Sequence, residues 1–248
     1  MNTLKIFSLI FYFHTIALLA AAQTPINVGT AAYAVYLLKG EQIILVDTGK
    51  PGMEQIIEQN LQKHGVQPKQ VAHIILTHGH FDHVGTAAYF KQKYGTSIIV
   101  GGGDEQKCTH GKSNPYRVTS PQKWLVKRVM RGKKDYTFFE PSVILQKYET
   151  LDLNVFGIAA QAKVVGGHTE GSLIIKSDNK SWVIVGDLVR GSVVPLFHKT
   201  PRIHFFAENP TENNVLLRNL LDEGFMQLLP SHFGPLKAQR VRKHFFKP

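Results

Sequence analysis

The chain has 248 residues, of which 43% are hydrophobic and 19% charged. That is ample for a buried core, and one α/β domain of this length is ordinary. A single cysteine, Cys108, excludes an intrachain disulfide, and the formal net charge of +11 admits an acidic partner without requiring one, since the charge is spread along the chain apart from one cluster.

Residues 1–22 combine Lys5, an apolar stretch and the small residues Ala20-Ala21-Ala22. This pattern predicts a signal peptide and a secreted or periplasmic protein, leaving 23–248 as one domain. The rival reading makes Leu4 to Phe13 a strand of the fold and the protein cytoplasmic. No later stretch is long and apolar enough to span a bilayer. Ala31 to Leu38 and Gln42 to Val46 flank Lys39-Gly40-Glu41 and read as a hairpin ending in Asp47-Thr48-Gly49. Met53 to Gln62 has helical periodicity, with Ile56, Ile57 and Leu61 toward the core.

Ile74-Ile75-Leu76 reads as a buried strand preceded by a structural histidine, His73, and Val84 to Tyr94 as a helix. Between them stand Thr77-His78-Gly79-His80-Phe81-Asp82-His83. Imidazole nitrogen and carboxylate oxygen are the usual ligands of zinc and similar ions. Four potential ligands in six residues on a strand-to-helix turn point to a metal rather than a His-rich loop.

Ser97 to Val100 is a further strand, stopped by Gly101-Gly102-Gly103. Residues 104–150 are polar and basic, with Lys123, Lys127, Arg128, Arg131, Lys133 and Lys134 around Trp124 and Val126, and a helix is predicted at 124–130. They read as a lid or insertion near the site, and nucleic acid is the less favoured partner. Cys108 reads as an ordinary buried or semi-buried thiol.

Gln161 to Val165 predicts a strand ending in Gly166-Gly167-His168. Leu173 to Lys176 and Trp182 to Val185 are strands, the second running into Gly186-Asp187. Glu212 to Leu221 is a helix and Phe225 to Leu229 a last core strand, followed by Pro230-Ser231-His232. Asp47, His168, Asp187 and His232 therefore each follow an apolar strand, so one edge of the core could gather them. His78, His80 and His168 make a three-imidazole site with an open position. Asp82, His83 and His232 make a second, and a carboxylate between the two can bridge. Asp47 at its strand end can orient a metal-bound histidine from behind.

These residues resemble the signature of the metallo-β-lactamase superfamily. The resemblance rests on His-x-His-x-Asp-His at 78–83, Gly-His-Thr-x-Gly-Ser around His168, Val-Gly-Asp at Asp187, the single His232, and Val-Asp-Thr-Gly at Asp47. It covers residues 27 to 235 and implies an αββα four-layer sandwich with metals at one edge. Metal-ligand roles for His78, His80, Asp82, His83, His168, Asp187 and His232 follow from it.

The implied activity is a binuclear metal-dependent hydrolase, most simply with two Zn2+ (Mn2+ or Fe as alternatives). A metal-bound hydroxide would cleave an ester, lactone, thioester or β-lactam-type bond of a small-molecule substrate, with Asp82 as catalytic carboxylate. Relatives that hydrolyse β-lactams typically carry Cys or Ser where this chain has Asp187, which directs the reading to a broader hydrolase. A mononuclear iron sulfur dioxygenase and a metal-dependent nuclease are the alternatives within the family. His198 and His204 are read as non-ligands because seven positions already complete two sites. Phe197, Phe205 and Phe206 are read as core aromatics rather than a pocket wall.

Overall fold

Ile43-Ile44-Leu45-Val46 is apolar at consecutive positions because both faces of its strand are covered. In the computed structural model, which describes residues 24–111, 117–119 and 136–246, Ile44 and Val46 point between two sheets while Leu45 points to a helical layer. The predicted leader of residues 1–22 and the basic helix of residues 124–130 lie outside the described residues.

The first sheet has the order β1-β2-β3-β4-β5-β7. Its strands are β1 (Ile26–Asn27), β2 (Tyr36–Lys39), β3 (Ile43–Val46), β4 (Val71–Ile75), β5 (Ser97–Gly101) and β7 (Val143–Leu145). β2 and β3 form the predicted hairpin, whereas β3, β4, β5 and β7 run parallel. The second sheet has the order β14-β13-β11-β10-β9-β8. It comprises β8 (Thr150–Asp152), β9 (Ala160–Val164), β10 (Leu173–Ser177), β11 (Val183–Gly186), β13 (Gln227–Pro230) and β14 (Leu236–Lys237). A separate pair joins β6 (Arg117–Val118) to β12 (Phe206–Ala207). Residues 143–145, within the segment read as a lid or insertion, are an edge strand of the first sheet.

Three apolar clusters define the layers. The middle one packs Tyr36, Ile44, Ile75 and Ile99 of the first sheet against Ala162, Ile175, Trp182 and Ile184 of the second. Outside the first sheet lie α1 (Glu54–Lys63) and α3 (Ala87–Tyr94), contributing Ile57, Leu61 and Phe90. Outside the second lie α5 (Pro210–Asp222) and α6 (Ala238–Phe245), contributing Leu217, Leu221 and Val241. The order is thus helices, sheet, sheet, helices: the αββα sandwich. Each buried Leu, Ile or Phe contributes about 1.5–3 kcal/mol of hydrophobic stabilisation before chain entropy is counted.

Several local expectations shift. Ile56 is 41% exposed rather than core-facing, because one helical step of 100° rotates it away from Ile57 and Leu61. The helix predicted from Val84 to Tyr94 is two pieces, α2 (Phe81–Val84) and α3. The chain bends at Gly85, where a Cβ would stand 2.3 Å from the Lys50 carbonyl carbon. Residues 31–35 leave the predicted strand, since Asn27 Oδ1 accepts from Gly29 N and Val35 N and closes a loop there. A short helix, α4 (Glu105–His110), follows β5. Before it the sheets nearly touch: a Cβ on Gly101 would lie 2.1 Å from the Gly171 carbonyl oxygen, so only glycine permits the approach.

Candidate metal centre

The ends of β3, β4, β11 and β13 and the turn after β9 converge at one edge of the sandwich. Asp47 ends β3, His78 and His80 follow β4, and Asp82 and His83 ride on α2. His168 sits on the Gly166-Gly167 turn, Asp187 follows β11, and His232 follows β13. All the histidines and carboxylates expected from the sequence are brought together. His78, His80, His168 and Asp187 form one group, Asp82, His83 and His232 a second, and Asp187, His204 and His232 a third; within each, the potential ligand atoms lie within 4.8 Å of one another.

Asp187 stands between the groups. Its Oδ2 is 3.5 Å from His168 Nε2, 3.5 Å from His83 Nε2 and 3.7 Å from His78 Nε2. Its Oδ1 is 3.3 Å from His232 Nε2. Asp82 reaches His232 Nε2 at 3.6 Å and His83 Nε2 at 3.8 Å.

Buried hydrogen bonds fix this geometry. Asp47 Oδ1 accepts from Thr77 N at 2.7 Å, and its Oδ2 accepts from Thr77 Oγ1 at 2.8 Å, His83 Nδ1 at 2.9 Å and Ser231 Oγ at 3.0 Å. One carboxylate thereby joins the loops of His78, His83 and His232. It does so with φ +63°, a left-handed conformation uncommon outside glycine. His232 Nδ1 donates to the Ala32 carbonyl at 2.5 Å, and Tyr36 Oη donates to the Pro230 carbonyl at 2.7 Å.

A second network holds the His80 and His168 loops together. Asp104 Oδ2 accepts from Gly79 N and from Thr169 Oγ1, each at 2.7 Å. Its Oδ1 pairs with Lys107 Nζ at 2.5 Å, and Lys107 also reaches Glu208 Oε1 at 3.2 Å. Lys107 is buried, and these carboxylates raise its pKa against the opposing effect of burial. Glu208 N donates to the His168 carbonyl at 2.9 Å.

The donor set fits a divalent cation. His78 Nε2, His83 Nε2 and Asp187 Oδ1 are buried without a hydrogen-bond partner, a costly state that a cation relieves. Burial and neighbouring imidazoles hold His78 and His80 well below the usual histidine range, the neutral form that coordinates metal. Burial also dominates at His168, which is likewise lowered. At His83 and His232 burial acts downward but is overcome by Asp187, with Asp47 and Asp82 adding to it respectively, so both are raised. Asp187 is buried yet held well below the usual carboxylate range by His204, His232 and His83.

The centre opens into a cavity of about 500 Å³. Tyr33, Phe81, Tyr136, Phe138, Phe205 and Phe206 give it an apolar wall, with Arg190 as a cation. The Arg190 guanidinium lies 3.8 Å from the centroid of the Phe205 ring. Phe205 and Phe206 therefore line the pocket rather than the core, and Phe197 is 55% exposed.

His204 departs most from the sequence reading. It is buried in the cluster, its Nε2 3.0 Å from Asp187 Oδ2, and burial pushes its pKa down to about 4. No strand end or dense motif marks it; the only sequence signal was its place between Asp187 and the Phe205-Phe206 pair.

The sequence profile of the metallo-beta-lactamase superfamily matches residues 28–225. The chain belongs to that superfamily. A metallo-beta-lactamase domain-containing protein 1 of Xenopus laevis is 46% identical over 57 residues, 23% of this chain and 24% of that protein. The match thus spans about a quarter of that relative's length. An uncharacterised protein of Mycobacterium tuberculosis is 25% identical over 173 residues, 66% of this chain and 71% of its own. Among solved structures, the FEZ-1 metallo-beta-lactamase of Legionella gormanii superposes with a TM-score of 0.61 at 20% identity, covering 86% of this chain and 78% of that one. The subclass B3 enzyme BJP-1 of Bradyrhizobium japonicum gives 0.60 at 19%, covering 86% and 76%. At such identities the likeness is one of fold.

Proposed function

We propose that this protein is a binuclear metal-dependent hydrolase of small molecules carrying an ester, lactone, thioester or β-lactam-type bond. The observation that carries this reading is the convergence of imidazoles and two carboxylates, several with buried unpartnered atoms, on the floor of a mostly apolar cavity. His78, His80 and His168 would hold one ion, and Asp82, His83 and His232 the other, with Asp187 shared. Zinc suits this nitrogen-rich set best. A bound ion supplies Lewis-acid polarisation of a carbonyl and a water acidified from about 15.7 toward about 7.

The protein's own groups do the rest. The aromatic wall binds the apolar part of the substrate and excludes water from the reaction centre. Asp82 is the partly exposed carboxylate at the cavity floor and can take up a proton at Oδ2 and return it to the leaving group. Asp47 orients His83 from behind. Residues 1–22 support export of the protein, as the leader pattern indicates.

The test is a screen of the metal-loaded protein on lactone, thioester, β-lactam and phosphodiester substrates, repeated with Asp82→Ala. General acid–base catalysis contributes about 10²–10⁴-fold, and kcat should fall within that range. Undiminished hydrolysis by the variant would remove this mechanism. Oxygen uptake on a sulfur substrate with one iron per chain would replace the hydrolase by an oxidoreductase.

A further inference from the structure

His204 repeats an arrangement already present at two of the expected ligands. His83 donates from Nδ1 to Asp47 and turns Nε2 toward Asp187 and Asp82. His232 donates from Nδ1 to the Ala32 carbonyl and turns Nε2 toward the same two carboxylates. His204 faces the Phe206 carbonyl with Nδ1 at 3.3 Å and Asp187 Oδ2 with Nε2 at 3.0 Å.

The Phe206 carbonyl and the Asp187 carboxylate both only accept, so a neutral His204 ring, with one N–H, can satisfy only one of the two contacts. With that hydrogen on Nδ1, the arrangement of a metal-bound imidazole, Nε2 directs a lone pair at the carboxylate oxygen. Two lone pairs at that distance repel, the more so where water is excluded, and a positive species between them removes the conflict. Metal-bound histidines characteristically donate their other ring N–H to a carboxylate or backbone carbonyl, the pattern of all three rings.

The surroundings hold His204 in this pose. Its ring stacks on His232 at 5.6 Å with planes 27° apart and meets His168 edge-on at 4.7 Å. Thr119 Oγ1 donates to the His204 carbonyl, and Thr119 N donates to the Phe205 carbonyl at 3.0 Å. The next residues, Phe206–Ala207, are paired in a strand.

We propose that His204 is a further metal ligand, its Nε2 binding, beside Asp187 and His232, the ion on the Asp82–His83–His232 side. The proposal rests on the cluster being a metal centre. It gives that ion three imidazoles instead of two, a set that suits zinc or iron better than the oxygen-preferring Mg2+ or Mn2+.

The test titrates metal-free protein with Co2+, read by visible absorption, and with Zn2+ against a chromophoric chelator. Wild type is compared with His204→Ala and His204→Asp, folding being checked by circular dichroism. His204→Ala should weaken one bound ion on the order of 10-fold or more, since even an outer partner of a ligand is worth about 10–100-fold, and should change its Co2+ bands. His204→Asp, which restores a donor atom, should recover most of the affinity. If His204→Ala does not fold, His204→Gln, of similar volume, carries the same comparison. Unchanged Co2+ bands and dissociation constants in the alanine or glutamine variant overturn the proposal, whatever happens to activity. A wild-type protein that takes up neither metal overturns the metal centre itself, and that failure is distinct.

Discussion

Asp47 Oδ2 accepts a hydrogen bond from His83 Nδ1 at 2.9 Å, while the same carboxylate accepts from Thr77 just before His78 and from Ser231 just before His232. One buried side chain thus ties three strand ends to a common geometry. Asp47→Ala should lower affinity for the ion at His83 by about 10–100-fold. It should also destabilise the fold by roughly 1–3 kcal/mol, because the Thr77 amide loses its acceptor in a buried place. Chelator competition and urea unfolding measure the two effects.

Asp104 should matter to stability as much as to the site. Removing it leaves buried Lys107 with Glu208 and the Gly103 carbonyl, and breaking a buried ion pair costs about 3–5 kcal/mol. Asp104→Ala should therefore lower the melting temperature, while Lys107→Met with Asp104→Asn together should cost less than either change alone. Thermal denaturation of Asp104→Ala, of the two single changes and of the double variant tests this non-additivity.

If the centre holds two ions as proposed, acid should remove them in sequence. The pKa values of His83 and His232 are raised above the usual 6.5, so protons compete with metal there already near neutrality. His78, His80 and His168 are lowered, and stay neutral to more acidic pH. As pH falls, the ion on the Asp82–His83–His232 side should leave first and the ion at His78, His80 and His168 last. Metal content against pH, with calorimetric counting of released protons, checks the order.

Cys108 should be silent in the folded protein. Its thiol is buried, and burial, reinforced by Asp104, pushes its pKa up to about 12. Since the thiolate is the reactive form, a thiol reagent at neutral pH should label no cysteine until denaturant is added. Rapid stoichiometric labelling of native protein would contradict the packing around α4.

Much of this centre is legible in the sequence because a buried strand announces itself as an apolar run and its end must lie at the sheet edge. His78, His168, Asp187 and His232 each follow such a run, and the spacing of 78–83 adds the rest. His204 had no such marker: it stands in a loop, and its place depends on Thr119 and on the pairing of β12 with β6. The Asp104–Lys107–Glu208 network was equally hidden, since a charged triplet scattered over a hundred residues reads as solvated surface until the fold buries it. Phe205 and Phe206 were read as core for the opposite reason: apolarity alone does not distinguish a core face from a pocket wall.

The central claim is that the His and Asp cluster at the sandwich edge holds two metal ions. Its most direct test is elemental analysis of the purified chain after exposure to Zn2+ and removal of free metal by gel filtration. Two zinc ions per chain, falling to one or none in His80→Ala, is the predicted result. A chain that emerges folded but metal-free after exposure to Zn2+, Mn2+ and Fe2+ in turn would contradict it.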